Sequence, residues 1–422
     1  MVRDKFSART MAAVQLLLDD YRPRDFAVEL WDGTRLNPEP GQFCRFTWRI
    51  NNPGVLRAML RSDRQIALGE AYIYGDFDIE GDIVACFSVG EHLATKDWTA
   101  TEKLRLGSLL LGLPLVNRHE QSAHFRGRLH SKSRDRAAIT FHYDVSNDFY
   151  KLWLDPAMVY SCAYFKSVED SLETAQRQKL DYICKKLRLK PGERLLDIGC
   201  GWGGLVLHAA RHCDVEAVGI TLSEQQLTLA RQRIEEAGLS SHCDVRVMDY
   251  RDATVLGTFD KLVSVGMVEH VGKNHLSEYF DSAFSLLRKG GVFLNHGIGR
   301  SKRSATPESA GFIKTYVFPD SDLVPISTML ETAEQAGFEV RDVENLREHY
   351  FLTLCHWVRR LEAHESEARE LVRDLKYRTW HLYMAGCAHY MQTGDTNLYQ
   401  SLLLKNESDQ RAAPLTREDW YS

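Results

Sequence analysis

The 422-residue sequence has no run of 18 or more apolar residues, no CxxC pair and no excess of positive charge. Without a long apolar run, no helix is expected to cross a membrane. Nine scattered cysteines, an odd number, predict free thiols in a reducing cytoplasm and no metal site. A net charge of −5 argues against nucleic acid as a partner. In the opening residues, MVRDKFSART, the charged residues are not followed by the apolar segment of a signal peptide.

What remains is an ordinary globular composition, 44% hydrophobic and 26% charged, in a chain long enough for two or three domains. Residues 1–115 mix short strand-like runs at 26–31 and 43–50 with a helical stretch at 55–73, and predict a small α+β domain. Residues 116–140 are polar and basic and predict a linker. From residue 141 to 422, strands alternate with helices, which is typical of a doubly wound parallel sheet.

Six strands are predicted in this last part, at residues 194–198, 216–222, 244–248, 259–266, 291–298 and 338–343. Helices are predicted up to Arg211 and at 223–238, 276–288 and 323–336, with Ser223 as a candidate N-cap of the second. The C-terminal third from about Tyr350 is predicted to be mostly helical. Because wound parallel sheets bind ligands at the carboxyl ends of their strands, the residues that follow each strand are the first candidates for a site.

A glycine-rich segment, LLDIGCGWGGL at residues 195–205, follows the first of these strands. Glycines at such a turn let the backbone approach a ligand closely and enter a helix tightly. The spacing is D-x-G-x-G-x-G-G, not the GxGxxG of dinucleotide sites, and is associated with S-adenosylmethionine. The candidate residues are Asp197, Gly199 and Gly201. A carboxylate at Asp197 suits a sulfonium and its neighbouring amino group.

The next two strand ends agree with a nucleoside site. The second lacks the acidic residue that usually binds ribose hydroxyls, and Thr221 and Gln226 offer donors and acceptors in its place. After the third strand, Asp249 is placed to accept a hydrogen bond from an adenine amino group. An aspartate that only caps a turn is the alternative at that position.

Several segments together resemble the cyclopropane-fatty-acyl-phospholipid synthase family, which includes the mycolic acid cyclopropane synthases. They are HYDVSNDFYKLWLDPAMVYSCAYF (142–165), LLDIGCGWGGL, GITLSEQQ, DYRD, SVGMVEHVG (264–272) and LNHGIG (294–299). The likeness covers about residues 140–360, and the N-terminal part is similar only in layout to a lipid-docking domain. It implies a Rossmann-like methyltransferase fold with a mostly parallel seven-stranded sheet.

The resemblance also implies a reaction. A methylene group passes from S-adenosylmethionine to the cis double bond of an unsaturated acyl chain in membrane phospholipid, which gives a cyclopropane. Such enzymes act as homodimers, peripheral on the inner face of the membrane. Tyr160 and Ser161 are implied as further cofactor contacts. Bicarbonate is implied as the base, and its ligands map onto Cys162, Glu269, His296, the backbone of Ile298, and Tyr350.

The chemistry explains why these residue types would be needed. An isolated alkene offers no proton to a base, so the protein must align it with the sulfonium methyl and exclude water from the resulting cation. Glu269 would accept the O–H of bicarbonate or be protonated itself. Alternatively, His296 is an ordinary core histidine and Cys162 a buried small hydrophobe. Aromatic rings that either face the cation or only pack the core are Tyr164, Phe165, Tyr316, Phe318 and Tyr350.

Two segments bear on membrane contact. The apolar stretch 104–116, LRLGSLLLGLPLV, is too short to span a bilayer and either lies at the interface or packs between domains. The linker residues Arg118, Arg126, Arg128, Lys132, Arg134 and Arg136 either meet anionic head groups or are solvated.

Three other functions stay open. The same methyl transfer could end in a 10-methylene branch after a hydride shift, or the chain could be a non-catalytic lipid-binding relative. A methyltransferase for a small molecule or nucleic acid is disfavoured by the net negative charge and by the set formed by Glu269, His296 and Tyr350.

Overall fold

The computed structural model describes residues 5–59, 64–116, 131–132, 134, 145–302, 311–318, 321–406 and 414–421. The chain forms two compact units. The first contains Met1–Ala123, Ala310–Val317 and Glu365–His389, and the second contains His124–Ser309, Phe318–His364 and Tyr390–Ser422. The predicted boundaries at 115 and 141 place the last two segments of the first unit in the α/β domain, so the compact units differ from the predicted domains there.

The first unit contains a four-stranded sheet in the order β2-β1-β3-β4. Its strands are β1 Ala27–Leu30, β2 Arg35–Leu36, β3 Phe46–Ile50 and β4 Phe77–Gly81. Its helices are Lys5–Leu17, Val55–Met59, Arg64–Ile73, Ile83–Thr95, Ala100–Leu111 and Gly311–Tyr316, with most of Glu365–Thr393. Phe26 stacks on Phe46 with ring centroids 4.7 Å apart, which joins β3 to the chain entering β1. The two predicted strands are confirmed, and the predicted helix at 55–73 is two helices in the described residues.

The second unit contains a seven-stranded sheet in the order β10-β11-β9-β8-β5-β6-β7. Its strands are β5 Arg194–Ile198, β6 Glu216–Thr221, β7 Cys243–Val247, β8 Phe259–Val265, β9 Leu287–Arg300, β10 Glu339–Asn345 and β11 Thr396–Leu404. The α-helices that lie wholly in this unit are Asn147–Lys151, Leu172–Leu187, Gly204–Cys213, Glu224–Glu236, Leu276–Leu286, Ile326–Gln335, Arg347–Ala363 and Glu418–Tyr421. Strands β5 to β9 pair in parallel, and β11 runs antiparallel to both of its neighbours. The predicted Rossmann-like, mostly parallel sheet is confirmed.

Both faces of this sheet are covered by apolar side chains. Successive residues of β5 point to opposite faces, and Leu195 and Leu196 accordingly join two different buried clusters. One cluster includes Val206 and Val245, and the other includes Phe293. This two-sided core holds the carboxyl ends of β5, β6 and β8 at one edge.

Two features of the second unit differ from the sequence prediction. The strand predicted at 291–298 begins earlier, at Leu287, because this buried residue pairs with Phe259 of β8 instead of ending the preceding helix. The C-terminal third from about Tyr350 is mostly helical in the described residues, as predicted, but strand β11 lies in it and was missed. The β11 sequence TNLYQSLLL is buried on both faces at its end and therefore lacks the alternation that marks an exposed strand.

Among the described residues, no helix has both the length and the apolarity needed to cross a bilayer.

Candidate active site

A cavity of about 140 Å³ lies at the carboxyl edge of the sheet, where β5, β6 and β8 end. Seven predicted cofactor residues line it together: Tyr160, Ser161, Asp197, Gly199, Gly201, Thr221 and Gln226. Side chains that sequence reasoning did not single out also line it, among them Lys179, Trp202 and Met267.

The glycine loop after β5 forms one wall of the cavity. Gly199 and Gly203 have φ of +83° and +76°, a left-handed backbone that L side chains rarely adopt. A Cβ atom at Gly199 would lie 3.1 Å from Cγ of Met267. Gly203 directly precedes the Gly204–Cys213 helix. The loop therefore needs glycine both for its turn and for the close approach of its backbone to the opposite wall.

Asp197 lies at the end of β5, only 3% exposed. Its Oδ1 has no hydrogen-bond partner among the residues that the structure describes. Burial raises the pKa of Asp197 to about 7, although the positive charge of Lys179 opposes the rise. A buried carboxylate with an unused oxygen suits a cationic group in the cavity.

Thr221 and Gln226 are joined to each other at the end of β6. The Thr221 hydroxyl donates to Gln226 Oε1 at 2.6 Å, which leaves the N–H groups of that amide as its donors. The Ser223 hydroxyl accepts from the Gln226 backbone N–H at 3.3 Å and caps the Glu224–Glu236 helix, as predicted.

Asp249 has local partners and does not line the cavity, although Met248 and Tyr250 do. Its carboxylate accepts from the backbone N–H of Arg251 at 3.0 Å and from Arg251 Nε at 2.8 Å. Burial raises the pKa of Asp249, but the hydrogen bonds and charge of Arg251 outweigh this and lower it. The turn-capping alternative is the one that describes its contacts, and the adenine contact stays a prediction.

The five predicted bicarbonate ligands make up a second group of site residues, and none of them lines this cavity. Glu269 lies in the short turn Val268–His270 after β8. Its Oε1 accepts from the Ile298 backbone N–H at 2.7 Å. Its Oε2 is buried and has no partner within the described parts of the chain. Burial raises the pKa of Glu269 to about 7, against the lowering effect of the Ile298 N–H. The N–H predicted to contact bicarbonate is therefore used by Glu269.

His296 is buried on β9, directly opposite Gln400 of β11. Gln400 Nε2 donates to His296 Nδ1 at 3.1 Å, so the proton of the neutral ring lies on Nε2. Burial lowers the pKa of His296 well below its usual range, and the charges of Lys179 and Lys186 lower it further. Its Nε2 lacks a partner in the described regions. Glu269 and His296 thus supply an unused acceptor and an unused donor.

Cys162 and Tyr350 lie on two segments that contact each other. Cys162 is fully buried; its Sγ lies 3.1 Å from the Ala163 carbonyl and 3.9 Å from that of Leu346, and burial raises its pKa. The Ala163 N–H donates to Thr353 Oγ1 at 3.0 Å. Thr353 and the buried Tyr350 belong to the Arg347–Ala363 helix, so this helix is joined to the segment that carries Tyr160 to Cys162.

An aromatic cluster extends from the cavity to Tyr350. Ring centroids of Tyr160 and Trp357 lie 5.2 Å apart, and those of Trp357 and Tyr350 lie 6.0 Å apart. Trp153 contacts Tyr160 edge-on at 5.3 Å. The two tryptophans were missed in the sequence, where nothing distinguishes them from ordinary core residues.

The other predicted aromatic residues have different surroundings. Tyr164 stacks on His349, Phe165 on His356, and Phe318 contacts His270 of the cavity wall. Tyr316 belongs to the first unit, where its hydroxyl donates to Glu70 at 2.8 Å.

Of the six basic linker residues, the structure describes only Lys132 and Arg134. Lys132 Nζ forms an ion pair with Asp252 at 2.6 Å. The other four, Arg118, Arg126, Arg128 and Arg136, lie outside the described residues.

The glycine loop after β5, the cavity at the strand ends and the seven-stranded sheet define an S-adenosylmethionine-dependent methyltransferase with a Rossmann-like fold. A family model described as mycolic acid cyclopropane synthetase matches residues 130–401, and the chain belongs to this family. A second model, of a domain of unknown function, matches residues 14–94. The resemblance seen in the sequence is confirmed.

Similar proteins extend over most of the chain. A probable fatty acid methyltransferase of Pseudomonas putida is 41% identical over 93% of this chain and 95% of its own. The cyclopropane-fatty-acyl-phospholipid synthase of Escherichia coli is 34% identical over 83% of this chain and 86% of its own. The crystal structure of the mycolic acid cyclopropane synthase CmaA1 complexed with SAH and CTAB has a TM-score of 0.61 at 34% identity, and covers 64% of this chain and 98% of its own.

Proposed function

We propose that the protein transfers a methylene group from S-adenosylmethionine to the cis double bond of an unsaturated acyl chain in membrane phospholipid, and that it uses bound bicarbonate as the base. The similarity to the Escherichia coli synthase supports this substrate. The observation that carries the proposal is the pair of buried, unpartnered polar atoms, Glu269 Oε2 and His296 Nε2, among the described residues.

The reaction demands alignment more than activation. The π bond forms a new bond to the methyl carbon as the carbon–sulfur bond breaks, and a cation remains on the acyl chain. Loss of one proton from the new methyl group then closes the ring. Proximity of well-oriented reactants can lower such a barrier by about 7 to 11 kcal/mol. The main contribution of the protein to the rate is thus to hold the alkene and the sulfonium methyl group in alignment.

The residues around Glu269 fit bicarbonate. Oε2 of Glu269 would accept its O–H, and the neutral His296 would donate from Nε2 to one of its oxygens. Bound there, bicarbonate would supply a small base that accepts the ring-closing proton. A second carboxylate in this position would be repelled by Glu269 unless one of the two were protonated.

Exclusion of water follows from burial. Cys162 and His296 are 0% and 1% exposed, and aromatic rings cover the side toward Tyr160. Water in such a site would trap the cation as an alcohol. The π faces of Tyr160 and Trp357 instead offer a non-nucleophilic surface that stabilises positive charge.

The decisive experiment incubates the protein with vesicles of a cis-unsaturated phospholipid and methyl-labelled S-adenosylmethionine. Label in the lipid fraction, with ring protons upfield of all other acyl protons in the NMR spectrum, is expected. Label without these signals, and with signals of a methylene branch, would replace the cyclopropane by the 10-methylene product. Cofactor binding without label in lipid would instead favour the non-catalytic relative.

Association with the membrane is part of the proposal. In the Ala100–Leu111 helix of the first unit no residue is buried, and Leu104 and Leu111, two turns apart, are 76% and 73% exposed. Leu115 follows at 67%. This exposure supports the interfacial alternative for residues 104–116. From the family resemblance alone, we further propose that the protein is a homodimer, peripheral on the inner face of the membrane.

A further inference from the structure

A buried lysine lies beside the cofactor cavity. Lys179, on the Leu172–Leu187 helix, is 2% exposed and lines the cavity. Its Nζ donates to the Ser161 hydroxyl at 3.0 Å, and no carboxylate in the described part of the chain forms an ion pair with it. An ammonium group has three donors, and burial with one neutral partner is unfavourable. The site therefore calls for an anion.

The neighbouring acids do not meet this need. Asp155 uses its two carboxylate oxygens on the backbone N–H groups of Ala157 and Val159, each at 2.9 Å. Asp197 is the other acid whose charge reaches Lys179, but in the described part of the chain no ion pair joins the two, and Asp197 Oδ1 has no hydrogen-bond partner. Burial lowers the pKa of Lys179 to about 8, with the charge of Asp155 as the largest opposing effect.

Gln176, one helical turn before Lys179, connects the same helix to the segment that carries Ser161. Gln176 Nε2 donates to the carbonyls of Ser161 at 2.8 Å and Val159 at 3.2 Å. The same helix face thus holds both the backbone and the side chain of Ser161. The amine is presented to the cavity by a rigid element, on the wall formed by Tyr160 and Ser161.

We propose that Lys179 binds the carboxylate of the methionine part of S-adenosylmethionine, while Asp197 faces its amino group. This deepens the proposed function, because it assigns the two opposite charges of the amino-acid end to two residues of one cavity. Held at that end, the cofactor presents its methyl group in a fixed direction. Lys179 is in this sense a positioning residue.

The competing role is electrostatic support of bicarbonate. The charge of Lys179 also lowers the pKa of His296, so its field reaches the second group of residues. Its hydrogen bond to Ser161 and its place in the cavity lining favour the cofactor carboxylate.

The test compares two ligands that differ by one carboxylate, S-adenosylhomocysteine and its decarboxylated analogue. Calorimetric titration of the wild-type protein should show at least about tenfold tighter binding of S-adenosylhomocysteine. In Lys179→Met and Lys179→Gln this preference should shrink to less than about twofold, because only the ligand with the carboxylate loses a partner. The analogue should bind all three proteins alike.

Lys186→Met is the matched control. It removes another buried lysine of the same helix, one that pairs with Glu344 at 2.5 Å and does not line the cavity. It should keep the full preference for the carboxylate. Thermal unfolding identifies the variants that fold, and the wild-type comparison stands even if neither Lys179 variant does.

Three results would overturn the inference: a wild-type protein that binds both ligands equally, a Lys179 variant that keeps the preference, or one that weakens both ligands equally. A Lys179 variant with normal binding but a raised bicarbonate requirement would point to the competing role. Because the assay involves no lipid, a protein that shows the preference yet labels no phospholipid would contradict the proposed function alone.

Discussion

At the scale of single residues, the site combines charges that burial has pushed away from their usual states. Glu269 and Asp197 both have pKa values raised to about 7, and the pKa of His296 is lowered. Asp197 lies at the end of β5, and Glu269 lies in the short turn after β8. His296, on β9, lies opposite Val265, the last residue of β8, so all three lie near the carboxyl ends of parallel strands. Perturbed groups at such an edge are typical of functional sites.

Glu269→Gln should change stability in a pH-dependent way. The carboxyl has a pKa of about 7 in the folded chain and about 4.3 when unfolded, so its stabilising contribution is complete below pH 4.3 and is lost as pH rises through 7. The variant has no such loss. The free energy of unfolding of the variant minus that of the wild type, measured by urea unfolding, should therefore rise by about 2 kcal/mol between pH 5 and pH 8.

The same variant should lower turnover at least about 100-fold while cofactor affinity stays within a few-fold, and His296→Ala should do likewise. Glu331→Gln, an exposed glutamate on the Ile326–Gln335 helix, is the control and should alter neither quantity. Full activity in Glu269→Gln or His296→Ala would contradict the assignment of the base site.

At the scale of elements, β11 and the Arg347–Ala363 helix complete the site from late in the chain. Strand β11 places Gln400 opposite His296, and the helix places Thr353 against Ala163. Neither contact joins residues that are close in sequence.

Gln400→Met should remove the donor that fixes the His296 tautomer. We expect turnover to fall about tenfold to 100-fold with little change in cofactor affinity. Leu402→Met, two residues along the same strand, should be nearly silent. A loss in both variants would show that the strand tolerates no change, and unaltered turnover in Gln400→Met would show that the tautomer does not matter.

Thr353→Val should leave the buried Ala163 N–H without an acceptor. Thr353 is fully buried, so the expected cost is about 1 to 3 kcal/mol in the free energy of unfolding, with lower turnover because Cys162 and Tyr350 lose their common support. Thr353→Ser keeps the hydroxyl and should retain most of the stability and most of the turnover. Equal behaviour of the two variants would argue that the hydrogen bond contributes nothing.

The sequence predicts what is encoded locally. The glycine loop, the serine cap at Ser223 and the succession of β5 to β8 each have a short-range signal, and all are found. Strand β11 is missed because burial on both faces removes its alternation. The bond from Ile298 to Glu269 joins residues 29 apart and has no local signature. Lys179 and Gln176 could have been singled out from the sequence, because they are polar residues on the same predicted helix face as the apolar Leu172, Ala175 and Ile183.

At the scale of the whole molecule, the exposed leucines of the first unit make a testable docking surface. Leu104→Ser combined with Leu111→Ser should reduce co-sedimentation with anionic phospholipid vesicles several-fold, because each removes apolar area from the interface. High salt should also reduce binding if the basic linker contributes.

Val255→Ser is the control for this surface. Val255 is 78% exposed but belongs to the second unit, so its replacement should leave vesicle binding unchanged. If the double leucine variant binds vesicles as well as the wild type does, the Ala100–Leu111 helix does not contact the membrane. If high salt leaves binding unchanged, the basic linker does not contribute to it.

The first unit is assembled from three separate stretches of chain. Arg378, in its last stretch, is buried and donates to the carbonyls of Tyr72 at 2.7 Å and Phe77 at 2.9 Å, and it pairs with Asp78 at 2.6 Å. A protease that nicks the polypeptide once, near residue 120, should therefore release no fragment under native conditions. The two pieces should elute together in gel filtration and part only in denaturant, and an enzyme shortened to residues 141–422 would keep Arg378 while losing all three of these partners.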